Sequence, residues 1–338
     1  MNSELNQDYV VGLDAGGTRT RAVLAAARDG RTVGEGSAGP GNALTVPVPQ
    51  LTDHLAEAVG RAVPERLRGR VVAVAGGFAG ASRAAPSEPG RLRAHSALTA
   101  ALERLGMPAV TVEICSDIEA AFASAPGHPA DGLALVAGTG AVAARITGRL
   151  CTATAGGDGW LLGDDGSGFW IGRAAVRAAL RMADGRGGPT ALAASAGRAL
   201  GLPDDVVPYE GQDWSRERRQ AYRMHLLPAV MARPPVELAR LTPLVAEAAG
   251  DKDPVAEAIL TEAAGHLVDT VRALDPLPGE RIVATGGLLG PDSPLTALLT
   301  PRLDLLGLTL DRVADGCAGA AALARLAHDD THRKGPAA

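Results

Sequence analysis

Short apolar runs separated by glycine turns dominate the first third of the chain. Residues 9–14 (YVVGLD) form an apolar run closed by an acid and two glycines, and residues 20–27 (TRAVLAAA) form a second. Asp29-Gly30 is a hairpin signal, and residues 32–37 (TVGEGS) follow as a third strand. After a Gly-Pro-rich loop, apolar positions at helical spacing cover about 51–63. A buried-strand run fills 71–77 (VVAVAGG), and a helix covers about 91–105. A further strand fills 109–115, and a helix follows Asp117. The predicted order is βββαβαβα.

The second half restarts that order. Residues 132–140, 141–146 and 149–155 read as three short strands, and Thr147-Gly148 turns the second into the third. A long helical region with proline breaks runs over about 167–271. A strand at 281–287 (RIVATGG) and helices near 295–303 and 316–327 end the pattern. Two copies of one topology predict an α/β protein with two domains and a cleft between them, where ligands of two-domain α/β enzymes bind. The predicted boundaries are 1–117 for the first lobe, joined by the C-terminal helix 316–328, and 118–315 for the second. The polar residues 329–338 are expected to be a flexible tail.

Six segments carry candidate chemistry. In GLDAGGTRT (residues 12–20) a strand ends at Asp14 and a turn of small residues follows. Glycines there let phosphate oxygens reach backbone N–H groups, the Thr18 hydroxyl adds a donor, and Asp14 stands where a nucleotide-bound Mg²⁺ needs a carboxylate. No Gly-Lys-Ser/Thr follows, and a strand rather than a helix comes next, so neither a Walker loop nor a dinucleotide fingerprint is present. LVAGTGAVA (residues 135–143) repeats strand, small turn and strand at the matching place, with Thr139 between Gly138 and Gly140. In ICSDIEAAFASA a strand delivers Ser116 and Asp117 to its end. Either residue reads as a helix cap, and Asp117 reads also as a general base for a substrate hydroxyl attacking a γ-phosphoryl group. GGDGWLLGDDGSGFWIG (residues 156–172) opens onto a helix with Ser167 as its N-cap. Asp158 and Asp164 offer acceptors for sugar hydroxyls, and Trp160 or Trp170 offers a flat apolar platform. Gly286-Gly287 end a strand with backbone that lets adenine or ribose lie close. The loops at Asn42 and at 76–82 (GGFAGAS) complete the set, Asn42 with both a donor and an acceptor.

Composition narrows the readings. The 338 residues carry 33 basic and 38 acidic side chains, a net charge of −5, which gives no electrostatic case for nucleic acid or an anionic membrane. Aromatic residues are only 3% against 46% hydrophobic, so the core must be closely packed Ala, Val and Leu. No apolar run approaches the ~20 residues of a membrane span, and the N-terminal residues have no signal-peptide pattern. Cys115, Cys151 and Cys317 lack metal-ligand spacing and read as reduced thiols of a cytoplasmic protein.

Together these motifs resemble the sugar kinases of the actin-like ATPase superfamily, whose phosphate-1, phosphate-2 and adenosine motifs occur in this order. More narrowly, ICSDIEAAFASA, the AGTG turn and GGDGWLLGDDGSGFWIG resemble the N-acetylglucosamine kinase group of the BadF/BadG/BcrA/BcrD ATPase family. The resemblance implies two ribonuclease H-like lobes of actin-like ATPase type, ATP and Mg²⁺ as cofactors, an amino sugar as substrate, and a homodimer. It implies ATP phosphate contacts at Thr18 and Thr139, with Gly16, Gly17, Gly138 and Gly140 as backbone donors, and adenosine contacts at Gly286 and Gly287. It implies Asp14 near the metal and Asp117 as base on the sugar 6-hydroxyl. Amino-sugar contacts fall at Asn42, Gly157, Asp158, Gly159 and Asp164. One departure is Asp158, where the mammalian-type enzymes are expected to carry Trp. A carboxylate there favours a free amino group over an N-acetyl group. Alternatives are a kinase of another hexose, such as N-acetylmuramic acid or glucose, or an ATPase activator of the same broad family.

Overall fold

The computed structural model describes residues 7–81, 87–108, 110–209 and 214–334, of which 330–334 by backbone alone. The segment of the sixth motif at Ser82 and the predicted strand start at Ala109 lie outside the described residues.

The first sheet is built from β1 (Tyr9–Ala15), β2 (Thr20–Ala26), β3 (Thr32–Ala38), β4 (Val71–Phe78) and β5 (Thr111–Ser116) in the order β3-β2-β1-β4-β5. β1, β2 and β3 form an antiparallel meander, while β4 and β5 add in parallel to β1. The second sheet uses β6 (Gly132–Ala137), β7 (Ala141–Thr147), β8 (Leu150–Gly156), β9 (Arg281–Thr285) and β10 (Thr309–Arg312) in the order β8-β7-β6-β9-β10. Its pairing senses repeat those of the first sheet strand for strand. The chain therefore contains the predicted duplication, an α/β fold of two lobes with matching sheet topology. β1 and β6 are its equivalent inner strands, apolar and buried nearly throughout because both of their neighbours are occupied. The partly exposed position one residue from the end is Asp14 in β1 and Val136 in β6.

Three elements are absent from the sequence reading: β10, helix α4 (Gly159–Leu162) and a 3-10 turn at Glu65–Arg70. β10 is only four residues, TLDR, with half-exposed side chains, so it shows no apolar run. Helix α4 lies inside the glycine-rich segment, where helix propensity is poor. α1 (Val48–Ala62) and α2 (Pro89–Arg104) cover the first sheet. α3 (Asp117–Ala123) packs against strands of both sheets. α5 (Gly168–Ala183), α6 (Leu192–Ala199), α7 (Arg216–Met231), α8 (Thr242–Gly250) and α9 (Pro254–Arg272) form the long helical region, followed by α10 (Pro294–Asp304).

α11 (Cys317–Lys334) returns to pack on β1, β2, β4 and α3 of the first sheet. It continues past the predicted end at 327 and through the start of the expected tail, because polar side chains on its outer turns do not oppose a helix already anchored on the sheet. The packing is close enough to require Gly12, where a Cβ would stand 2.3 Å from the Cys317 carbonyl oxygen. This docking brings the segment before α11 to the end of β1. The core is rich in alanine, as the composition requires.

Candidate active site

A cavity of about 700 Å³ lies between the ends of the inner strands of the two sheets. Asp14 reaches it from β1, Asp117 from the start of α3, and Gly286 and Gly287 from the turn after β9. Four predicted site residues from three distant segments thus line one cleft. Arg21, Arg312 and Asp315 line it as well, and the sequence reading did not single them out. Arg21 points outward from the strand after Asp14, and its pairing across β1 and β2 sets it opposite Asp14. Recognising β10 would have located Arg312 and, three residues on, Asp315.

Asp14 accepts the Gly316 N–H through Oδ2 at 3.2 Å. The Arg21 guanidinium lies 3.8 Å from Asp14 and 3.7 Å from Asp315, bridging two carboxylates. Burial raises the pKa of Asp14 above the usual carboxylate range. The Gly316 bond opposes that rise, the Asp315 charge adds to it, and Arg21 also opposes it.

Ser116 and Asp117 divide the two roles that the sequence left open. Ser116 is the N-cap of α3, its hydroxyl accepting the Glu119 N–H at 3.1 Å, and the Glu119 carboxylate returns to the Ser116 N–H at 2.9 Å. This capping box satisfies the first turn of α3 without Asp117. Asp117 accepts the neighbouring Ile118 N–H at 3.0 Å, and it faces the cleft. Its pKa is pushed up to about 6, chiefly by desolvation and then by the charge of Asp14, with Glu119 a smaller contributor. A carboxylate tuned to that range can accept a proton near neutral pH.

The two small-residue hairpins sit at matching ends of β1 and β6. The first spans Gly16, Gly17, Thr18 and Arg19, closed by the Gly16 N–H donating to the Arg19 carbonyl at 3.0 Å. Gly17 and Thr18 are exposed at its tip. The second spans Gly138, Thr139 and Gly140, with Thr139 exposed. Its carbonyls are taken by the first amides of α5, where Gly168 donates to Gly138 at 2.8 Å and Phe169 to Thr139 at 3.1 Å. Gly286 wraps the same strand end. Its φ is +107°, and a Cβ there would lie 2.2 Å from the Ala137 carbonyl oxygen, so glycine is required. None of the hairpin-tip residues lines the 700 Å³ cavity itself.

The remaining predicted contacts lie on the surrounding loops. Asn42 uses its Oδ1 to accept the N–H groups of Leu44 and Thr45 at 2.9 and 3.0 Å. Gly157 donates to the Ala141 carbonyl at 2.9 Å, so the glycine-rich segment leans on the base of the second hairpin. Asp164, at φ +57°, accepts the Ala141 N–H through Oδ1 at 3.1 Å. Burial raises its pKa, the Ala141 bond opposes this, and the charges of Asp158 and Asp165 add to it. Asp158 and Gly159 begin α4, with the Asp158 side chain exposed and making no cap. Of the two candidate platforms, Trp160 is partly exposed, edge-on to Phe169 at 5.8 Å. Trp170 is buried against His266 instead.

Among the described residues no group of three or more His, Cys, Asp or Glu is placed to enclose a metal ion. Mg²⁺ arriving on nucleotide phosphates needs only one or two carboxylates and water, and Asp14 fits that requirement. None of the three cysteines forms a disulfide. No helix among the described residues is long and apolar enough to cross a membrane.

Duplicated lobes with glycine-tipped hairpins and an acid-lined cleft define the class as an ATPase of actin-like fold. The sequence profile of the BadF/BadG/BcrA/BcrD ATPase family matches residues 11–300, and the chain belongs to that family. A relative in Clostridium acetobutylicum, an N-acetylmuramic acid/N-acetylglucosamine kinase, is 27% identical over 275 residues, 79% of each chain. A solved structure from Porphyromonas gingivalis, described as a candidate N-acetylglucosamine kinase, is similar with a TM-score of 0.68 and 19% identity. It covers 95% of this chain and 99% of its own. Another from Chromobacterium violaceum with the same description has a TM-score of 0.65 and 23% identity, covering 94% and 99%. These structures share the fold of this chain.

Proposed function

We propose that the protein is an ATP-dependent kinase that phosphorylates an amino sugar, glucosamine or N-acetylglucosamine, at the 6-hydroxyl. The observation that carries this reading is Asp117, freed from capping by Ser116, facing the same cleft as Asp14 and Gly286-Gly287, with a pKa of about 6. In this reading Asp117 accepts the proton of the sugar hydroxyl while that oxygen forms a bond to the γ-phosphorus and the bond to the ADP oxygen breaks. The hairpins at Gly16-Gly17-Thr18 and Gly138-Thr139-Gly140 hold the phosphates, and Gly286 and Gly287 admit the adenosine. Asp14 holds Mg²⁺, which neutralises phosphate charge when bound. Asn42, Gly157, Asp158, Gly159 and Asp164 contact the sugar. The names of the relatives agree in kind.

Asp158, Asp164 and Asp165 favour the free amine within this pair of substrates. Burial is the main reason that the pKa of Asp164 is raised, and the charges of Asp158 and Asp165 add to it; an ammonium group would offset those charges where an N-acetyl group would not. The test is a coupled ADP assay with glucosamine, N-acetylglucosamine, N-acetylmannosamine, N-acetylmuramic acid, glucose and no sugar. Sugar-dependent ADP release with an amino sugar is expected. ADP release that ignores added sugar would instead identify an ATPase activator.

A further inference from the structure

Arg173, Arg177 and Arg181 recur every four residues along α5, so their guanidinium groups follow one another down one face. Beside that face runs a groove of about 540 Å³ between α5 and the first part of α9. Small side chains keep it open, with Ala174 and Ala178 on α5 and Ala258 on α9. It lies outside the cleft described above and shares no lining residue with it.

The charges in this groove are unbalanced. Among the described residues, Arg173, Arg177 and Arg181 form no salt bridge within 4.0 Å, whereas Arg104, Arg145 and Arg281 each pair with a carboxylate. Arg173 stands 5.4 Å over the Phe169 ring, and Arg181 donates to the Arg186 carbonyl at 3.3 Å. Arg186 is held by Asp184 at 2.5 Å. The groove's one acid, Glu262, lies on the α9 wall beside His266 at 3.7 Å. Like charges spaced by four residues destabilise a helix, so an anion bound across the row would stabilise α5.

We propose that this groove binds a phosphorylated sugar. Planar guanidinium forks in series match a phosphate monoester, which they can hold by paired hydrogen bonds. The Glu262 carboxylate on the opposite wall offers acceptors for hydroxyl or ammonium groups on the same molecule. The volume falls within the ordinary range of small-molecule sites.

The groove is coupled to the second hairpin through α5 itself. The first amides of that helix hold the carbonyls of Gly138 and Thr139, and the row of arginines begins one turn further along. An occupant that shifts α5 therefore shifts the hairpin. With the kinase reading above, on which this step rests, the occupant is a hexosamine 6-phosphate and the coupling is feedback by product.

Isothermal titration of the full chain without nucleotide tests the proposal, using glucosamine 6-phosphate, inorganic phosphate and glucosamine as probes. The proteins are wild type, the double variant Arg173→Ala/Arg177→Ala, and Asp117→Ala, each checked for native circular dichroism. Glucosamine 6-phosphate is expected to bind wild type and Asp117→Ala alike, and the double variant at least about tenfold more weakly. Inorganic phosphate is expected to bind at least about tenfold more weakly than the sugar phosphate. Unchanged affinity in the double variant overturns the proposal. So does equal affinity for inorganic phosphate, which would mark a nonspecific cationic surface. The titration involves no turnover, so a chain inactive on every sugar in the ADP assay still gives a readable answer about the groove.

Discussion

The Glu119 carboxylate joins the two sheets: Oε1 accepts the Cys151 N–H of β8 at 2.8 Å, and Oε2 accepts the Ser116 N–H at the end of β5 at 2.9 Å. The residue is buried, two positions from Asp117 on the same short helix. One side chain thus fixes both the start of α3 and the spacing of α3 from the edge of the second sheet. Replacing it with Gln leaves a single acceptor for two backbone donors. A buried donor left unpaired costs about 1–3 kcal/mol. Glu119→Gln is expected to lose about that much in urea unfolding, and Glu119→Ala more. If both variants unfold at the wild-type midpoint, the bridge between the sheets contributes nothing.

Asp117 sets a pH dependence for both rate and stability. In its proposed role as base it must be ionised, so kcat/KM is expected to fall with a slope of one proton below about pH 6. Stability runs the other way. A carboxyl whose folded-state pKa is raised binds its proton more tightly in the folded chain than in the unfolded chain. Its contribution is complete below the unfolded value near 3.9 and is lost as pH rises through about 6. Asp117→Asn removes the buried charge. The variant is therefore expected to be more stable than wild type at about pH 7.5, by on the order of 2–3 kcal/mol, and equal to it near pH 4. Its turnover is expected to drop by about 10²-fold or more. Thermal unfolding at the two pH values, beside steady-state kinetics, reads each part separately. A variant less stable than wild type at the higher pH would contradict the desolvation of Asp117.

Gly286 offers a test of the proposed nucleotide side of the cleft. A side chain at φ +107° is strained, and its Cβ would meet the backbone of Ala137, the last residue before the second hairpin. Gly286→Ala must push the turn after β9 away from β6. The expected result is a rise in KM for ATP of about tenfold or more, with a much smaller change in KM for the sugar. Equal rises in both would mean general unfolding of the second lobe instead. Gly287→Ala separates backbone strain from ligand contact, since a Cβ there meets no protein atom within 4 Å and a rise in KM for ATP in that variant would come from the nucleotide itself.

Short-range patterns revealed much of this architecture because each lobe is built from them. Apolar runs ended by small residues marked β1, β2, β4, β6 and β9, and the two hairpins repeated at equivalent positions. β10 stayed hidden because TLDR has neither length nor an apolar face, and Asp315 stayed hidden with it. The bridge from Arg21 to Asp14 and Asp315 joins residues from opposite ends of the chain through the docking of α11 on Gly12, a contact no local pattern encodes. Asp164 illustrates a different limit. Its spacing in a glycine-rich segment suggested sugar contact, while its bond to Ala141 depends on how that segment folds back on β7. The division between Ser116 as cap and Asp117 as free carboxylate was ambiguous in sequence. It turns on Glu119 completing the capping box.

Asp158 and Asp164 share a carboxylate cluster but differ in attachment, and their variants should separate sugar choice from nucleotide binding. Asp158 is exposed and caps nothing, so Asp158→Asn alters charge with little change in local structure. The ratio of kcat/KM for glucosamine to that for N-acetylglucosamine is expected to fall by about tenfold, with KM for ATP unchanged. The difference should shrink at high salt, because exposed charges are screened. Asp164 also holds the Ala141 N–H at the base of the second hairpin. Asp164→Ala is therefore expected to lower the same ratio and, in addition, to raise KM for ATP about tenfold. Asp164→Asn keeps an acceptor for Ala141 and should restore KM for ATP without restoring the preference for the amine. A preference unmoved by either charge removal would assign the choice between the two sugars to other residues of the cleft.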